Sequence, residues 1–480
     1  MRKPDILWIV TDHHAYYGHT GIQRPNFERL KEGGAFFERT YCASPLCCPS
    51  RKTMLTGLYP ARHGQINNAV KIPGDQPENY LQALQRAGYQ NYYFGKWHAG
   101  GGCPEDYGCA GISYPEYHNP YRQKEYLEYI KKNRLPAASM FVEKNMCEEG
   151  WIDDAKEGES YAFHRDMLNE VLAGILEGPK ECHEAFYYAD AAVSQLEEIH
   201  RRREEGETAP FSLRIDFFGP HQPYHPTREF VELYPPEKIP VYPSYEDLLK
   251  KKPDTYQFET GRGISEKKRL KRPGSWTWAD WQLILSRCYA HITLVDEAAG
   301  LILDKLDELG LTENTMVLWT SDHGDAVACH GGHTDKQAYL PEEVMRIPLA
   351  IRYPGVIPPH SVSKELISNT DLAPTVLGAA GTSFLYRTDG DNLLKLFTEP
   401  EAGWRRAVYG ETYGHAYPCE GKMIAEEQFK YIWTKNDIEE LYDLWEDPYE
   451  LNNLAGKEEY LEVLERMRRT LKDYVEHISS

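Results

Sequence analysis

The segment CYAHITLVDEAAGLILDKLDELGLTENTMVLWTS, residues 288–321, determines the fold that we predict for this chain. Its first part, 288–310, carries apolar residues at helical spacing and ends at Gly310, a residue typical of the position after a helix. The run NTMVLWTS, 314–321, is mostly apolar, as in a strand that is covered on both faces. A helix that leads directly into a buried strand is the repeating unit of a parallel α/β sheet.

The same alternation of helix and strand continues on both sides of this segment. Buried strands are predicted for DILWIV (5–10), YQNYYFG (89–95) and IPLAIRYPG (347–355), and short helices for PNFERLKEGG (25–34) and NYLQALQRAG (79–88). We therefore predict an α/β fold in which a mostly parallel sheet is sandwiched by helices.

The chain is predicted to divide into two units. Residues 1–385 form the α/β domain, and 100–290, rich in Tyr, Pro and charge, are read as long insertions into it. Residues 386–480 form a smaller α+β subdomain, in which AVYGETY (407–413) and FKYIWT (429–434) belong to a small antiparallel sheet and 457–477 to a terminal helix. We interpret the basic run KKRLKR, 267–272, as a solvated loop.

Composition excludes several classes of protein. The 480 residues carry a net charge of −20, which argues against a nucleic-acid binder. No apolar run approaches the length of a membrane span, and the apolar run at 6–10 is too short for a signal peptide, so we expect a cytoplasmic protein without membrane contact. The ten cysteines are read as reduced thiols, and because no CxxC pair occurs we expect no structural zinc site.

Two predicted strands are followed by Asp-His pairs. Asp12 and His13 follow the first strand, and Asp322 and His323 follow the strand at 314–321. The carboxyl ends of parallel strands lie at one edge of the sheet, so these side chains can converge on one cation. Carboxylate oxygens suit Ca²⁺ or Mg²⁺, and the imidazoles move the preference towards Mn²⁺.

The stretch SPLCCPSRKTMLTG, 44–57, contains two adjacent cysteines. Taken alone, Cys47 and Cys48 are consistent with a redox pair, a metal site, two buried thiols or a residue converted to another group. The pattern Cys47-x-Pro49-Ser50-Arg51-x-x-x-Leu55-Thr56-Gly57 is more specific, because its first five positions should occur by chance in roughly one chain in a thousand of this length.

This pattern resembles the signature of the type I, formylglycine-dependent sulfatases of the alkaline phosphatase superfamily. Other segments resemble that family in the same order along the chain: PDILWIVTD (4–12), GKWH (95–98), PHQP (220–223), TSDHGD (320–325), EEVMRIPL (342–349), DLAPTVLGAAG (371–381) and ELYDLWEDPYELNNLA (440–455). The resemblance implies a sulfatase that hydrolyses sulfate monoesters. A small sulfated carbohydrate or aryl compound is the expected substrate.

The resemblance implies that a maturation enzyme oxidises Cys47 to Cα-formylglycine, an aldehyde that is held as its hydrate. One hydroxyl of the hydrate attacks sulfur and displaces the alcohol, and deprotonation of the other re-forms the aldehyde and expels sulfate. The family pattern places metal ligands at Asp12, Asp322 and His323, together with residue 47. Arg51 matches the arginine that stabilises the ionised hydrate and the carboxylates at the metal.

The remaining roles also follow from the resemblance. Lys96 and Lys336 match lysines that bind the sulfate oxygens as charge develops. His98 matches the histidine that acts as a base near the hydrate. His221 matches the histidine that binds sulfate and helps to protonate the leaving oxygen, and His330 falls where relatives carry a histidine near the substrate.

Two positions depart from the family's commonest pattern. Relatives usually carry Asp or Gln at the position of His13, and many carry Asn at that of His323. Two imidazoles favour Mn²⁺, but the resemblance keeps Ca²⁺ as our first expectation, with Mn²⁺ or Mg²⁺ as alternatives. The site expected here therefore holds Asp12, His13, Asp322, His323 and residue 47 around one divalent ion.

Two other functions remain open at this point. A histidine at position 323 also occurs in phosphonate monoester hydrolases of the same fold, which share the nucleophile, so a phosphonate monoester or phosphodiester hydrolase is the first alternative. Lys96 and His98 of GKWH are typical of sulfatases and are generally replaced in the phosphonate enzymes. A catalytically inactive sulfatase-like binding protein is the second alternative, and it would require the loss of a catalytic group.

Overall fold

A mostly parallel sheet forms the centre of the computed structural model, which describes residues 3–16, 21–69, 76–115, 119–146, 155–163, 171–256, 276–336, 339–415 and 419–479. The strands in chain order are β1 (Asp5–Asp12), β2 (Ala35–Tyr41), β3 (Gln90–Lys96), β4 (Cys109–Tyr114), β5 (Ser139–Asn145), β6 (Ser160–Ala162), β7 (Val171–Glu177), β8 (Phe211–Pro220), β9 (Thr315–Ser321), β10 (Arg346–Ile347), β11 (Leu349–Arg352), β12 (Ser361–Ser368), β13 (Val408–Thr412), β14 (Gly421–Ala425), β15 (Phe429–Thr434) and β16 (Glu440–Asp443). The α-helices are α1 (Pro25–Glu32), α2 (Cys47–Thr56), α3 (Pro60–His63), α4 (Tyr80–Arg86), α5 (Lys124–Lys132), α6 (Glu184–Glu204), α7 (Arg228–Val231), α8 (Trp278–Glu308), α9 (Glu342–Met345), α10 (Leu372–Ala379), α11 (Lys395–Thr398) and α12 (Leu461–Ser479).

Nine of the described strands form the central sheet, in the order β10-β2-β11-β9-β1-β8-β3-β4 with β12 beside β2. The middle of the sheet is parallel: β1 pairs with β9 on one side and with β8 on the other, so that Ile9 lies opposite both Trp319 and Ile215. Strands β10 and β11 run antiparallel to their neighbours. The predicted α/β fold with a mostly parallel sheet is confirmed.

Helices cover both faces of this sheet. One apolar core lies between the sheet and helices α1, α6 and α8, and a second lies on the opposite face under α2, α4 and α10. Helix α8 begins at Trp278, ten residues before the predicted start at 288, because Thr277 forms a capping box with Asp280. The Asp280 backbone N–H lies 3.4 Å from Thr277 Oγ1, and the Thr277 N–H donates to Asp280 Oδ2 at 2.9 Å.

Residues 100–290 contribute more to the sheet than the sequence analysis expects. They contain β4 at its edge and β8 in its middle, between β1 and β3. They also contain the 21-residue helix α6, which packs on β8. A second, three-stranded sheet of β6, β5 and β7 adds to this region.

A four-stranded antiparallel sheet, β13 to β16, follows the central sheet in the chain and packs against α12. This confirms a smaller C-terminal unit with an antiparallel sheet and a terminal helix. The division at residue 385 stays a prediction, and the basic run 267–272 lies outside the described residues. In the part of the chain that the structure describes, no helix combines the length and the apolar character needed to cross a membrane.

Helix α3 ends with a buried histidine that binds helix α2. His63 Nε2 lies 3.1 Å from the hydroxyl of Thr53, and the backbone N–H of Gln65 donates to His63 Nδ1 at 3.1 Å. Burial lowers the pKa of His63 to about 3, so the imidazole is neutral in the folded protein. In the unfolded chain it protonates near pH 6.5.

We therefore expect His63 to make the protein less stable as pH falls below about 6.5. The stability that the neutral imidazole contributes is fully present above that pH and is lost as pH falls towards the folded pKa. By pH 5 the loss in free energy of unfolding is about 2 kcal/mol. In His63→Gln, the difference in free energy of unfolding between pH 7.5 and pH 5 should shrink by about this amount, measured by urea titration. Thr53→Ala, which keeps the imidazole, should retain the wild-type difference, and equal differences in His63→Gln and wild type would contradict the prediction.

Candidate active site

The carboxyl ends of four adjacent strands meet at one edge of the central sheet. Strand β1 ends with Asp12 and β3 with Lys96, while Asp322 follows β9 and His221 follows β8. Because β9, β1, β8 and β3 are neighbours and run parallel, their carboxyl ends place these four side chains in one region.

Cys47 is the first residue of α2. Leu46 before it is extended, with φ −103° and ψ 143°, Pro49 occupies the first turn where its missing N–H costs nothing, and Gly57 ends the helix with φ 67°. The Cys47 side chain is 1% exposed, and burial raises the pKa of its thiol, although Lys336 and Lys96 oppose the shift. An unmodified Cys47 is therefore a protonated thiol and a poor nucleophile.

Cys47 is one of four potential metal ligands that lie close together. One donor atom from each of Asp12, Cys47, Asp322 and His323 lies within 4.8 Å of the others, and all four residues are buried. Cys47 Sγ lies 3.1 Å from His323 Nε2 and 3.8 Å from Asp12 Oδ1. His323 Nδ1 lies 2.8 Å from the carbonyl of Gly324, to which it donates, so Nε2 is left as an acceptor towards the cluster.

Arg51, one turn along α2, compensates the carboxylates. Its Nε donates to Asp322 Oδ2 at 2.8 Å and its Nη1 to Asp216 Oδ2 at 2.7 Å, and Nη2 lies 4.0 Å from Asp12 Oδ1. The guanidinium is fully buried. Three buried carboxylates therefore share one cation that cannot lose its charge.

Two lysines flank the four-ligand cluster. The ammonium group of Lys96 pairs with Asp12 Oδ2, and that of Lys336 lies 2.9 Å from Asp335 Oδ1. Burial alone would raise the pKa of Asp12, but the charges of Lys96 and Arg51 hold it well below its usual range. The ammonium of Lys336 keeps its proton, because Asp335 raises its pKa against the effect of burial.

The family model described as Sulfatase matches residues 4–382 of this chain, which include every residue of the cluster. This chain belongs to the sulfatase family. A second family model, for the C-terminal region of N-sulphoglucosamine sulphohydrolase, matches residues 330–477. The chain is accordingly a sulfuric ester hydrolase, and proteins of its family generally use a formylglycine and a divalent metal.

Two relatives are similar to this sulfatase over nearly its whole length. It is 27% identical over 510 aligned residues to an N-acetylglucosamine-6-O-sulfatase of Bacteroides thetaiotaomicron, covering 98% of this chain and 87% of the relative. It is 28% identical over 486 residues to an arylsulfatase of Clostridium perfringens, covering 98% and 94%. Among solved structures, the phosphonate monoester hydrolase of Agrobacterium radiobacter shares the fold with a TM-score of 0.77 at 21% identity, covering 99% of this chain and 96% of that one.

The buried cluster of this sulfatase fits a divalent cation. Asp12 and Asp322 offer carboxylate oxygens and His323 offers Nε2, a donor set suited to Ca²⁺, Mg²⁺ or Mn²⁺. The predicted ligand His13 also lies near, since one donor atom each of His13, Cys47 and His323 fall within 4.8 Å of one another.

His13 has other partners as well. Its Nε2 lies 2.9 Å from Asp335 Oδ1 and its Nδ1 lies 3.6 Å from Asp325 Oδ2. Its backbone has φ 65°, in the left-handed region, a strained conformation for a residue other than glycine. The structure thus places His13 between the four-ligand cluster and the Asp325 and Asp335 carboxylates.

The two other predicted catalytic histidines also lie at this sheet edge. The ring of His221 stacks on that of His13, with ring centres 4.1 Å apart, and His221 Nε2 lies 3.4 Å from Lys336 Nζ. Burial, Lys96 and Arg51 lower the pKa of His98 well below its ordinary value. His98 is therefore neutral at physiological pH and can accept a proton.

His330 occupies a different environment. It is fully buried, with Nδ1 3.0 Å from Asp247 Oδ2 and Nε2 3.3 Å from Glu343 Oε2. Both ring nitrogens face carboxylates, so the structure presents no free face of His330 to a substrate. The predicted substrate-binding role of this residue gains no support from its geometry.

Three residues at the site were missed by the sequence reasoning. Asp216 binds Arg51 from β8, a strand that lay within the segment read as insertions. Asp335 pairs with Lys336, and its position directly before that lysine was a signal that could have been used. His415 lies in the β13–β14 connection, and burial lowers the pKa of its imidazole to about 4, with smaller effects from the charges of Asp335 and Lys336.

Proposed function

We propose that this sulfatase hydrolyses sulfate monoesters of a small sulfated sugar, with formylglycine formed from Cys47 and with Ca²⁺ held by Asp12, Asp322, His323 and residue 47. The observation that supports this most directly is the meeting of two carboxylates, an imidazole and Cys47 within 4.8 Å of one another at the start of a buried helix. Every catalytic group expected from the sequence is present, which argues against an inactive binding protein.

When bound, the divalent cation polarises the sulfate oxygens, and the formylglycine hydrate supplies the nucleophilic oxygen. The side chains of the protein contribute to catalysis first by placing positive charge near residue 47. Lys96 and Lys336 are buried, and the charges of both ammonium groups act on the Cys47 thiol. We assign them to the sulfate oxygens, where charge develops as the ester bond breaks.

A proton for the leaving oxygen can come from the pair formed by His221 and Lys336. His221 Nδ1 donates to the carbonyl of Gln222 at 2.7 Å, which leaves Nε2 as the acceptor that faces Lys336 Nζ. Burial, His13 and Lys336 keep the pKa of His221 well below its ordinary value, so the proton of this pair resides on the ammonium. The ammonium of Lys336, which His221 Nε2 positions across 3.4 Å, can donate that proton to the leaving alcohol oxygen.

Lys336→Met is expected to lower kcat for a sulfate ester by about 100-fold to 1,000-fold, the usual cost of removing one group that stabilises transition-state charge. Lys336→Arg, which keeps the charge but not its compact shape, should recover only part of this loss. Initial-rate kinetics on an aryl sulfate, together with thermal unfolding of each variant, test the prediction. A folded Lys336→Met protein with wild-type kcat would exclude the role.

The substrate class rests on two observations. One relative of similar length is an N-acetylglucosamine-6-O-sulfatase and another is an arylsulfatase, so both classes of alcohol occur among proteins like this one. The net charge of −20 disfavours a long polyanion. We propose a sulfated monosaccharide or short oligosaccharide as the main substrate, with aryl sulfates as convenient probes.

A phosphonate monoester hydrolase is the second candidate, since such an enzyme shares this fold at a TM-score of 0.77. The presence of Lys96 and His98 favours sulfate. We therefore expect kcat/KM for an aryl sulfate to exceed that for the matching aryl phosphonate monoester, with sulfated sugars exceeding both. Dominant turnover of the phosphonate by protein shown by mass spectrometry to carry formylglycine at position 47 would overturn the proposal.

A further inference from the structure

Three histidines from separate elements meet inside the protein, apart from the four-ligand cluster. His183 precedes α6, His225 follows β8, and His291 lies in the middle of α8. All three are buried, and one donor nitrogen of each lies within 4.8 Å of the other two. We call His183, His225 and His291 the tri-histidine cluster.

Several polar atoms of this cluster lack partners. Neither ring nitrogen of His291 has a hydrogen-bond partner, and the same holds for His183 Nε2. His183 Nδ1 accepts a hydrogen bond from the backbone N–H of Ala185 at 3.1 Å and lies 3.3 Å from Glu184 Oε2. Nδ1 therefore holds the lone pair and Nε2 the proton while no ion is bound. Nε2 becomes a ligand atom when that proton moves to Nδ1, where Glu184 Oε2 accepts it. Buried nitrogens without partners are costly as long as the ion is absent.

A buried carboxylate, that of Glu184, lies beside the tri-histidine cluster and has no lysine or arginine partner among the described residues. Glu184 Oε2 lies 3.4 Å from His225 Nε2 and accepts a hydrogen bond from the hydroxyl of Tyr121. His225 Nδ1 lies 2.6 Å from the carbonyl of Pro223, to which it donates, so its Nε2 carries a lone pair. This Nε2 lies 3.0 Å from the Tyr121 hydroxyl and 3.4 Å from Glu184 Oε2. Among the described residues, only imidazoles lie within ion-pair distance of this buried carboxylate.

The ring positions match those of imidazoles around one ion. The ring centres are 4.7 Å apart for His183 and His225, 5.0 Å for His183 and His291, and 5.2 Å for His225 and His291. A zinc–nitrogen bond of about 2.0–2.1 Å puts each ring centre about 3.2 Å from the ion, and tetrahedral ligands then have ring centres about 5.2 Å apart. The observed triangle is close to this spacing.

We propose that the tri-histidine cluster binds a divalent transition-metal ion, Zn²⁺ in the first instance, with Glu184 as the carboxylate that orients His183 and balances the charge. Three imidazoles and one buried carboxylate are a donor set for zinc and related ions, and a poor one for Ca²⁺. Tyr121 supports the carboxylate by donating to it. The ion would tie α6, α8 and the segment after β8, which also carries His221, to one point.

The alternative to a metal ion is a protonated histidine beside Glu184, and it accounts for fewer of the observed contacts. An imidazolium at His225 would pair with Glu184, but it would leave both nitrogens of His291 without partners. The absence of a CxxC pair, which led the sequence analysis to expect no structural zinc, excludes only cysteine-based sites. The three histidines are spread over 109 positions, from 183 to 291, and no local motif joins them.

The test is the metal content of purified protein, measured by inductively coupled plasma mass spectrometry after dialysis. Wild-type protein supplied with Zn²⁺ alone should hold about one tightly bound zinc per chain that Ca²⁺ does not displace. His291→Ala should lose this zinc, whereas Asp322→Asn, which affects the four-ligand cluster, should retain it. His200→Ala changes a half-buried histidine of α6 outside the tri-histidine cluster, and this matched control should also retain the zinc.

A spectroscopic measurement on unaltered protein guards against a variant that fails to fold. Co²⁺ added to wild type and to Asp322→Asn should give the visible absorption of a tetrahedral nitrogen-ligated ion, and Zn²⁺ should abolish it by competition. Zinc should also raise the thermal midpoint of both proteins. The inference would be overturned if Asp322→Asn bound neither Zn²⁺ nor Co²⁺. It would also be overturned if folded His291→Ala bound these ions as wild type does.

Discussion

Cys47→Ala is expected to lower turnover of any sulfate ester by about 10⁴-fold or more, because removal of a covalent nucleophile leaves only binding and electrostatic effects. The fold should persist, since the change removes one sulfur atom from the first turn of α2 and leaves the helix and its Gly57 terminus in place. Steady-state kinetics with an aryl sulfate and thermal unfolding of the same sample measure both effects.

Cys48→Ala is the matched control for this prediction. Cys48 is also buried, but its backbone N–H donates to Asn68 Oδ1 at 3.1 Å and its thiol lies outside the four-ligand cluster. We expect its turnover to stay close to wild type. The nucleophile assignment fails if Cys47→Ala retains turnover, or if active wild-type protein is found by intact mass to carry an unmodified thiol at position 47.

Arg51→Met is expected to destabilise the metal-free protein by about 3–5 kcal/mol, the cost of breaking a buried ion pair by removing one partner. The methionine fills most of the space, so the loss reflects charge rather than volume. Asp322, Asp216 and Asp12 would remain as buried carboxylates that have lost their shared guanidinium. Urea unfolding in the presence of a chelator gives the free energy directly.

A double variant separates this charge effect from simple misfolding. In Arg51→Met/Asp322→Asn, the buried carboxylate that Arg51 Nε binds at 2.8 Å is neutralised, so part of the lost stability should return. Asp216 keeps Arg214, whose Nε lies 2.7 Å from Asp216 Oδ1, and Asp12 keeps Lys96, so Asp322 is the carboxylate that depends most on Arg51. A double variant less stable than the sum of the two single changes would contradict the electrostatic explanation.

The sheet and the position of Cys47 were predictable because their signals are local. The strand at 314–321 reads as an apolar run, and the residues after it follow at once in the chain, so the strand end and its Asp322-His323 pair come from one segment. The pattern from Cys47 to Gly57 likewise lies within one helix and its terminus. Short-range periodicity and motif spacing are what a single sequence records best.

The remaining features depend on long-range packing. Strand β8 is wholly buried and lies beside β1, but the charges of Arg214 and Asp216 interrupt its apolar run, so its place in the sheet was not visible in the sequence. These two residues neutralise each other inside the core. The two carboxylate contacts of His330 and the formation of the tri-histidine cluster likewise depend on contacts between segments far apart in the chain.

The complete burial of α2 fixes an order of events for the proposed oxidation of Cys47. Every residue of this helix, from Cys47 to Thr56, is buried in the folded protein, so a maturation enzyme has no access to Cys47 or to Pro49 and Ser50, the residues beside it that we expect the enzyme to recognise. Oxidation must then precede closure of the sheet over the helix, and the two processes compete in time. A chain that folds before oxidation keeps the Cys47 thiol and is inactive. The active fraction of a preparation therefore depends on the rate of oxidation relative to the rate of folding.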